Sequence, residues 1–274
     1  VSDGYSIFHE TMADMTFREV EAAARRGAIV LWALGVIEEH GPHLPLATDV
    51  YVPCATLRAA KQILSERGIE SVIAPPFYWG INAATAAFAG SFVVRPETMI
   101  ELMKDVFRSL RKDGFSQVFC LSGHGDAAHN AVLFEGVKAG RTFGPIDAFM
   151  LVSPAFVKRL TFDESDPQLA IMHAPASEPE PYIDVHAGNW ETSMIMAAYP
   201  GVVRSEIAAT LAPTNYVLDD LIEWRKGEQH AVEKTPHGYF GDPAAADASR
   251  GHASIRAEGE TIAAAIVRAL SSRA

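Results

Sequence analysis

A three-layer α/β/α sandwich around a mainly parallel sheet is the fold the sequence predicts, and three observations point to it. The run Ala28 to Ile37 is apolar through consecutive positions and rich in Val, Ile and Leu, as a strand buried on both faces is. Strand-like runs alternate with segments whose apolar residues recur at helical spacing. Start and stop signals punctuate the alternation, which implies βαβ units and helices on both faces of the sheet. The chain has 274 residues and a hydrophobic fraction of 49%, ample for the core of a single domain spanning 1–274, and no internal repeat is evident.

The elements follow in order. Thr16-Phe17-Arg18-Glu19 is a capping box that opens a helix reaching Arg26 and stopping at Gly27. The strand Ala28 to Val36 comes next. Pro53 suits the first turn of a second helix, which runs to about Arg67 and ends at Gly68, ahead of the strand Ser71 to Ala74 that Pro75 and Pro76 close. Pro96 opens a helix with Ile100, Met103, Phe107 and Leu110 on one face, Gly114 lies beyond its end, and Gln117 to Leu121 reads as a strand. A further helix spans Ala127 to Ala139. From Phe162 to Tyr182 the pattern dissolves into acidic, Pro-containing sequence, long for a connection, and 162–182 is read as an active-site flap. Glu260 to Leu270 forms a last helix whose Ile262, Ile266 and Leu270 suit packing on the sheet.

Composition narrows the function. A net charge of -11 disfavours a polyanionic partner such as nucleic acid, and the densest basic cluster, Arg108, Arg111 and Lys112, falls late in a helix where cations complement the macrodipole. Only Cys54 and Cys120 are present, in a predicted helix and a predicted strand, so neither a disulfide framework nor a cysteine-based zinc site is indicated. No apolar run is long enough to span a bilayer, and Val1-Ser2-Asp3-Gly4 lacks the marks of a signal peptide. A cytoplasmic protein acting on a small molecule, without a nucleic-acid or membrane partner, is expected.

Three clusters carry chemistry. Glu38 to Asp49 places Glu38, Glu39, His40, His43 and Asp49 directly after the first strand. Gly123-His124-Gly125-Asp126 follows the Gln117 to Leu121 strand, and Asp184 to Glu191 contains His186. Parallel strands bring their carboxyl ends to one edge, so these distant segments are expected to converge on one cleft. Glu38 and His40, two apart, point the same way on extended backbone, and Asp49 has two oxygens with which to bridge a pair of ions. His124 and Asp126 add a nitrogen and an oxygen. A mixed imidazole and carboxylate set suits zinc or manganese better than calcium or magnesium. His43 is read as a supporting hydrogen-bond partner and His129 as a residue of a helix surface, both outside the ligand set.

Glu38-x-His40-Gly41-Pro42-His43-Leu44-Pro45-Leu46-x-x-Asp49, Gly123-His124-Gly125 in a strand-to-helix turn, and His186-Ala187-Gly188-x-x-Glu191-Thr192-Ser193 together resemble the creatininase (creatinine amidohydrolase) family. The likeness extends to Met15 through Glu21, Ala74 to Phe77 and Arg95 to Thr98. It implies a creatininase-like α/β subunit, assembled as a homo-hexamer, with two divalent ions, zinc and/or manganese. Ligands fall on Glu38, His40, Asp49 and His124, with Asp126 where creatininase itself has a glutamate. His186 matches the histidine that assists proton transfer and Glu191 a motif glutamate that supports the site. The implied reaction is opening of a small cyclic amide by a hydroxide bridging the two ions. Departures at Ser122, Asn189, Ala84 and Thr85, and the absence of Trp from 162–182, open other family activities. These include cleavage of an oxidised inositol ring, deformylation, and trimming of a peptide-derived cofactor precursor; a non-catalytic metal- or metabolite-binding subunit is the rival from another class. Trp79, Asn82 and Trp190 are candidates to line a different pocket, with burial of the aromatics in the core as the alternative.

Overall fold

A computed structural model describes residues 5–143, 146–174 and 182–272. Thr16 caps α1, Phe17–Arg25, through the reciprocal bonds with Glu19 that the capping box requires. The chain then alternates: β1 (Ile29–Leu34), α2 (Thr48–Glu66), β2 (Ser71–Ile73), α3 (Pro96–Lys112), β3 (Gln117–Ser122), α4 (Ala127–Phe143), β4 (Asp147–Val152), α5 (Pro154–Leu160) and β5 (Leu169–Ile171). Helices complete it: α6 (Asn189–Ala198), α7 (Ser205–Ala208), α8 (Leu218–Trp224), α9 (Glu228–Lys234) and α10 (Ala248–Ser271). Among the described residues no helix is long and apolar enough to cross a membrane.

All five strands are parallel, in the order β2-β1-β3-β4-β5. Their side chains divide by alternation between two apolar layers. Val30, Trp32, Leu34, Val118, Cys120 and Met150 face one side, where Met103 and Phe107 of α3 and Leu133 of α4 meet them. Ile29, Leu31, Phe119, Leu121 and Phe149 face the other, against Leu57 of α2 and Ile262 and Ile266 of α10. Phe119 and Phe149 stack across β3 and β4 with ring centroids 4.7 Å apart. A fully buried side chain of this size contributes about 1.5–3 kcal/mol through area removed from water, so the central strands anchor the fold.

β1 runs by way of α2 to β2 on one side, whereas β2 returns by way of α3 to β3 on the other. Right-handed crossovers then require α2 and α3 on opposite faces, as they are. The order reverses between β1 and β3, which opens a crevice at their carboxyl ends.

Two strands and several helices were not anticipated. β4 and β5 extend the sheet beyond β3, and β5 falls within 162–182, the segment read as a flap; residues 175–181 of that segment lie outside the described residues. α2 begins at Thr48, so Pro53 lies inside it rather than in its first turn. α10 begins at Ala248, twelve residues before the expected start, with the Asp247 side chain accepting from the Arg250 amide as its cap.

Candidate metal centre

The crevice between β1 and β3 receives the amino-terminal turn of α2. A Cβ added to Gly35, just past β1, or to Gly123, just past β3, would lie 2.1 Å from the Asp49 carbonyl oxygen. Only glycine lets the helix approach this closely, and Asp49 is thereby set over the gap between the strands. Pro53, four residues on, has no N–H to give that carbonyl, so a proline interior to the helix sits where the backbone is wedged against the sheet.

Glu38 and His40 follow β1 and bring their donor atoms to one place. Glu38 Oε1 is 3.0 Å from His124 Nδ1 and 4.0 Å from His40 Nε2. Asp49 places Oδ1 3.3 Å from His40 Nε2 and Oδ2 2.8 Å from His124 Nδ1. Glu191 Oε2 is 3.8 Å from His40 Nε2. Glu38, Asp49 and His124 form one group able to hold an ion, His40, Asp49 and Glu191 a second, and Glu38, His40 and His186 a third.

These groups are nearly sealed from water, with Glu38 and Asp49 2% exposed and His40 fully buried. Yet His40 Nε2 and Asp49 Oδ2 have no hydrogen-bond partner among the described residues, despite nearby atoms of opposite character. Buried polar atoms without partners are costly, and donor atoms converging this way fit a divalent cation. His40 Nδ1 lies 3.1 Å from the Glu38 carbonyl; donating there leaves the Nε2 lone pair for the centre. Thr85 Oγ1 lies against Glu38 Oε2 and 2.7 Å from Asn82 Oδ1, which fixes the carboxylate with Oε1 inward. Ser122 Oγ bonds both the amide and the carbonyl of His124, and Asn130 Nδ2 donates to that carbonyl at 2.7 Å.

The charge pattern agrees with a cation site. Burial opposes charge on His40, but Asp49, Glu191 and Glu38 outweigh it and raise its pKa to about 10. His124 is raised well above the usual imidazole range by Glu38 and Asp49 against its burial. Asp49 is held well below the carboxylate range because His40 and His124 overcome its burial. Burial raises Glu191, with His40 and His186 opposing.

His186 takes its orientation from Glu39, the residue between Glu38 and His40. Nε2 of His186 is 2.9 Å from the Glu39 carbonyl and 3.1 Å from Glu39 Oε1, which turns Nδ1 toward Glu38 Oε1 at 3.9 Å. Burial resists a charge there and His40 repels it, yet Glu39 and Glu38 raise the imidazole pKa. Trp224 packs on the ring at 5.5 Å. Sequence reasoning gave Glu39 no orienting role; its place between Glu38 and His40 in the ligand loop was the signal available.

Asp126 is placed differently from the other expected ligands. Oδ1 accepts from the Ala128 and His129 amides at 2.7 and 3.1 Å, and Oδ2 from the Ala83 and Ala84 amides at 2.9 and 3.3 Å. It caps α4, ties the 80s loop to it, and belongs to none of the three donor groups. Asp126→Ala is therefore expected to cost about 1–3 kcal/mol in urea unfolding while bound metal, measured by mass spectrometry, stays at the wild-type ratio. Loss of metal without loss of stability would restore Asp126 as a ligand. Glu191, by contrast, both approaches His40 and accepts from the Ala187 amide at 2.5 Å.

Other expectations change. His129 is fully buried rather than on a helix surface, its Nδ1 accepting from the Ile81 amide at 3.3 Å. His43 is buried with Nε2 2.9 Å from Thr192 Oγ1. Trp190 lines the cavity beside the centre, but Trp79 packs against Phe92 and Tyr78 away from it, and Asn82 supports Thr85. That cavity has a volume of about 560 Å³, and its walls include Glu38, Asp49, His124, His186, Trp190 and Trp224.

A donor-lined crevice at the switch point of a parallel sheet defines an α/β enzyme architecture with a candidate metal centre. The creatininase family model, described as creatinine amidohydrolase, matches residues 13–266, and the chain belongs to that family of hydrolases. A mycofactocin precursor peptide peptidase of Mycobacterium ulcerans (strain Agy99) is 28% identical, the match covering 81% of this chain and 78% of the relative. Creatinine amidohydrolase of Pseudomonas putida is 23% identical over 75% of this chain and 78% of its own. A crystal structure of creatinine amidohydrolase superposes with a TM-score of 0.69 at 19% identity, covering 94% of this chain and 97% of that one, and shares the fold.

Proposed function

We propose that this chain is a metal-dependent amide hydrolase that works with two divalent cations, zinc or manganese. The observation that carries the reading is Asp49, one buried carboxylate shared by two donor groups. Glu38, Asp49 and His124 would hold one cation, and His40, Asp49 and Glu191 the other. When bound, such a pair supplies Lewis-acid polarisation of a carbonyl and activation of water at neutral pH. The protein's own part is to hold those donors rigid, exclude bulk water, and manage a proton. His186, with Nε2 engaged by Glu39, presents Nδ1 toward the centre, where its raised pKa suits donation to a departing amide nitrogen.

The amide is better read as peptide-sized than as a single small ring. A cavity of about 560 Å³ falls in the range that accepts drug-sized ligands. The 28% identity to a peptide peptidase, against 23% to a creatinine hydrolase, points the same way.

The test strips the protein with a chelator, restores zinc or manganese, and follows addition of water by mass spectrometry across creatinine, other cyclic amides and short peptides. Metal-restored hydrolysis of an amide is expected. His186→Ala is expected to slow it by about 10²–10⁴-fold with bound metal unchanged. Hydrolysis that persists after complete metal removal would refute the proposal.

A further inference from the structure

Two arginines, Arg159 and Arg225, line the cavity. Arg159, on α5, donates from Nη1 to the Gly125 carbonyl at 3.0 Å, and its guanidinium carbon lies 5.3 Å from the centroid of the Phe156 ring. Those two restraints hold the group beside the His124 to Asp126 turn, with most of its five N–H donors uncommitted. Arg225 follows Trp224 at the end of α8 and lines the same cavity, so the segment that packs Trp224 on His186 also delivers a guanidinium. Among the described residues neither arginine forms an ion pair, in a chain with 34 acidic residues.

The arrangement keeps positive charge available. Asp126 attracts Arg159, but its two oxygens already accept four backbone N–H groups. Glu258 of α10 lines the cavity too, and burial pushes its carboxyl up to about 7, which weakens it as a counter-charge at neutral pH. Burial, followed by repulsion from Arg159, lowers the pKa of Arg225, the mark of two cations held near one another. A planar fork of donors matches a carboxylate in two parallel hydrogen bonds, which a point charge such as lysine does not.

We infer that Arg159 and Arg225 form a clamp for a carboxylate on the substrate, fixing the register in which its amide meets the metal donors. This rests on the amide-hydrolase reading for the amide, and on the place of the two arginines in the cavity and the charges around them for the carboxylate. The pair therefore determines specificity, and peptides with a free carboxyl end near the scissile bond are the class it selects.

The test uses N-acetylated alanine and phenylalanine di- and tripeptides, each made as the free acid and as the C-terminal amide. They are titrated calorimetrically into the metal-loaded protein and assayed for hydrolysis. The acid forms are expected to bind about tenfold or more tighter than the amides. Arg225→Gln and Arg159→Met should each cut that preference below about threefold, with the change in KM rather than kcat. Arg225→Lys should restore only part of it. Melting curves and metal content identify any variant that fails to fold, and the ratio of acid to amide within one protein is insensitive to the fraction folded. No preference, or one that survives in both arginine variants because the metal ions themselves take the carboxylate, overturns the clamp. Arginine-dependent binding without hydrolysis of any peptide keeps the clamp and removes the hydrolase reading.

Discussion

Asp49→Asn is expected to drop bound divalent metal to well under half of the wild-type ratio and to slow amide hydrolysis on the order of 10³-fold or more. The two oxygens of Asp49 face different imidazoles, Oδ1 toward His40 and Oδ2 toward His124, and two donor groups include the residue. Asparagine offers one acceptor and turns an N–H₂ toward imidazole nitrogens that must present lone pairs. It also removes a negative charge from a buried cluster where nothing in solvent replaces it. Elemental analysis and the water-addition assay check both effects, with far-UV circular dichroism confirming the fold. A variant with full metal content and near-normal rate would mean that Asp49 is not shared between cations.

Chelated protein is expected to have its highest melting temperature near pH 6.5, to lose stability as the pH rises toward about 10, and to lose it also below 6.5, where His43 and His129, whose burial lowers their pKa values to about 4 and about 3, resist protonation. His40 and His124 have folded pKa values raised above the unfolded value of 6.5, so their stabilisation is complete below that pH and lost as pH passes through the folded values. Asp49 has a depressed folded pKa; its stabilisation is present above the unfolded value of 3.8 and lost in acid. Metal-loaded protein should show the reverse slope above neutrality, because cations and protons compete for the same nitrogens. Near pH 7, binding should therefore release protons, measurable by calorimetry in buffers of different ionisation enthalpy. A flat melting profile from pH 6.5 to 10 after chelation would contradict the assignment of those imidazoles.

The sequence made the left half of the sheet and the ligand loop readable because their signals are local. The capping box at Thr16, Pro96 at the start of α3, and the unbroken apolar run of β1 each depend on neighbours in the chain. The meeting of the Glu38 to Asp49 segment with the His124 turn followed from parallel topology, whereas the choice of donors within them came from residue type and the family resemblance. What escaped depends on tertiary context. β5 is three residues long and only its middle residue is buried, so it carries no periodicity. The first half of α10 contains Gly251 and Gly259, poor helix formers whose missing side chains let it approach Ser193 of α6 and Ala59 of α2. The two roles open to a carboxylate after a strand, cation donor or helix cap, look alike in one dimension; four backbone amides separate Asp126 from Asp49. Arg159 sits in a helix and Arg225 just past the end of one, neither within a motif, and only the fold brings them to one cavity.

The wedge of the Asp49 carbonyl between Gly35 and Gly123 makes the centre part of the sheet's framework, whereas Arg159, Trp224, Arg225 and Glu258 reach the cavity from peripheral helices and their ends. The metal donors and the proposed carboxylate clamp thus rest on different elements, which meet where Trp224 packs on His186. On the proposed reading, changes at Arg159 and Arg225 would redirect the protein toward a different substrate while leaving the metal donors in place. A single scaffold can then serve relatives named for a ring and for a peptide, and the arginine-bearing helices are the place to begin retargeting this one.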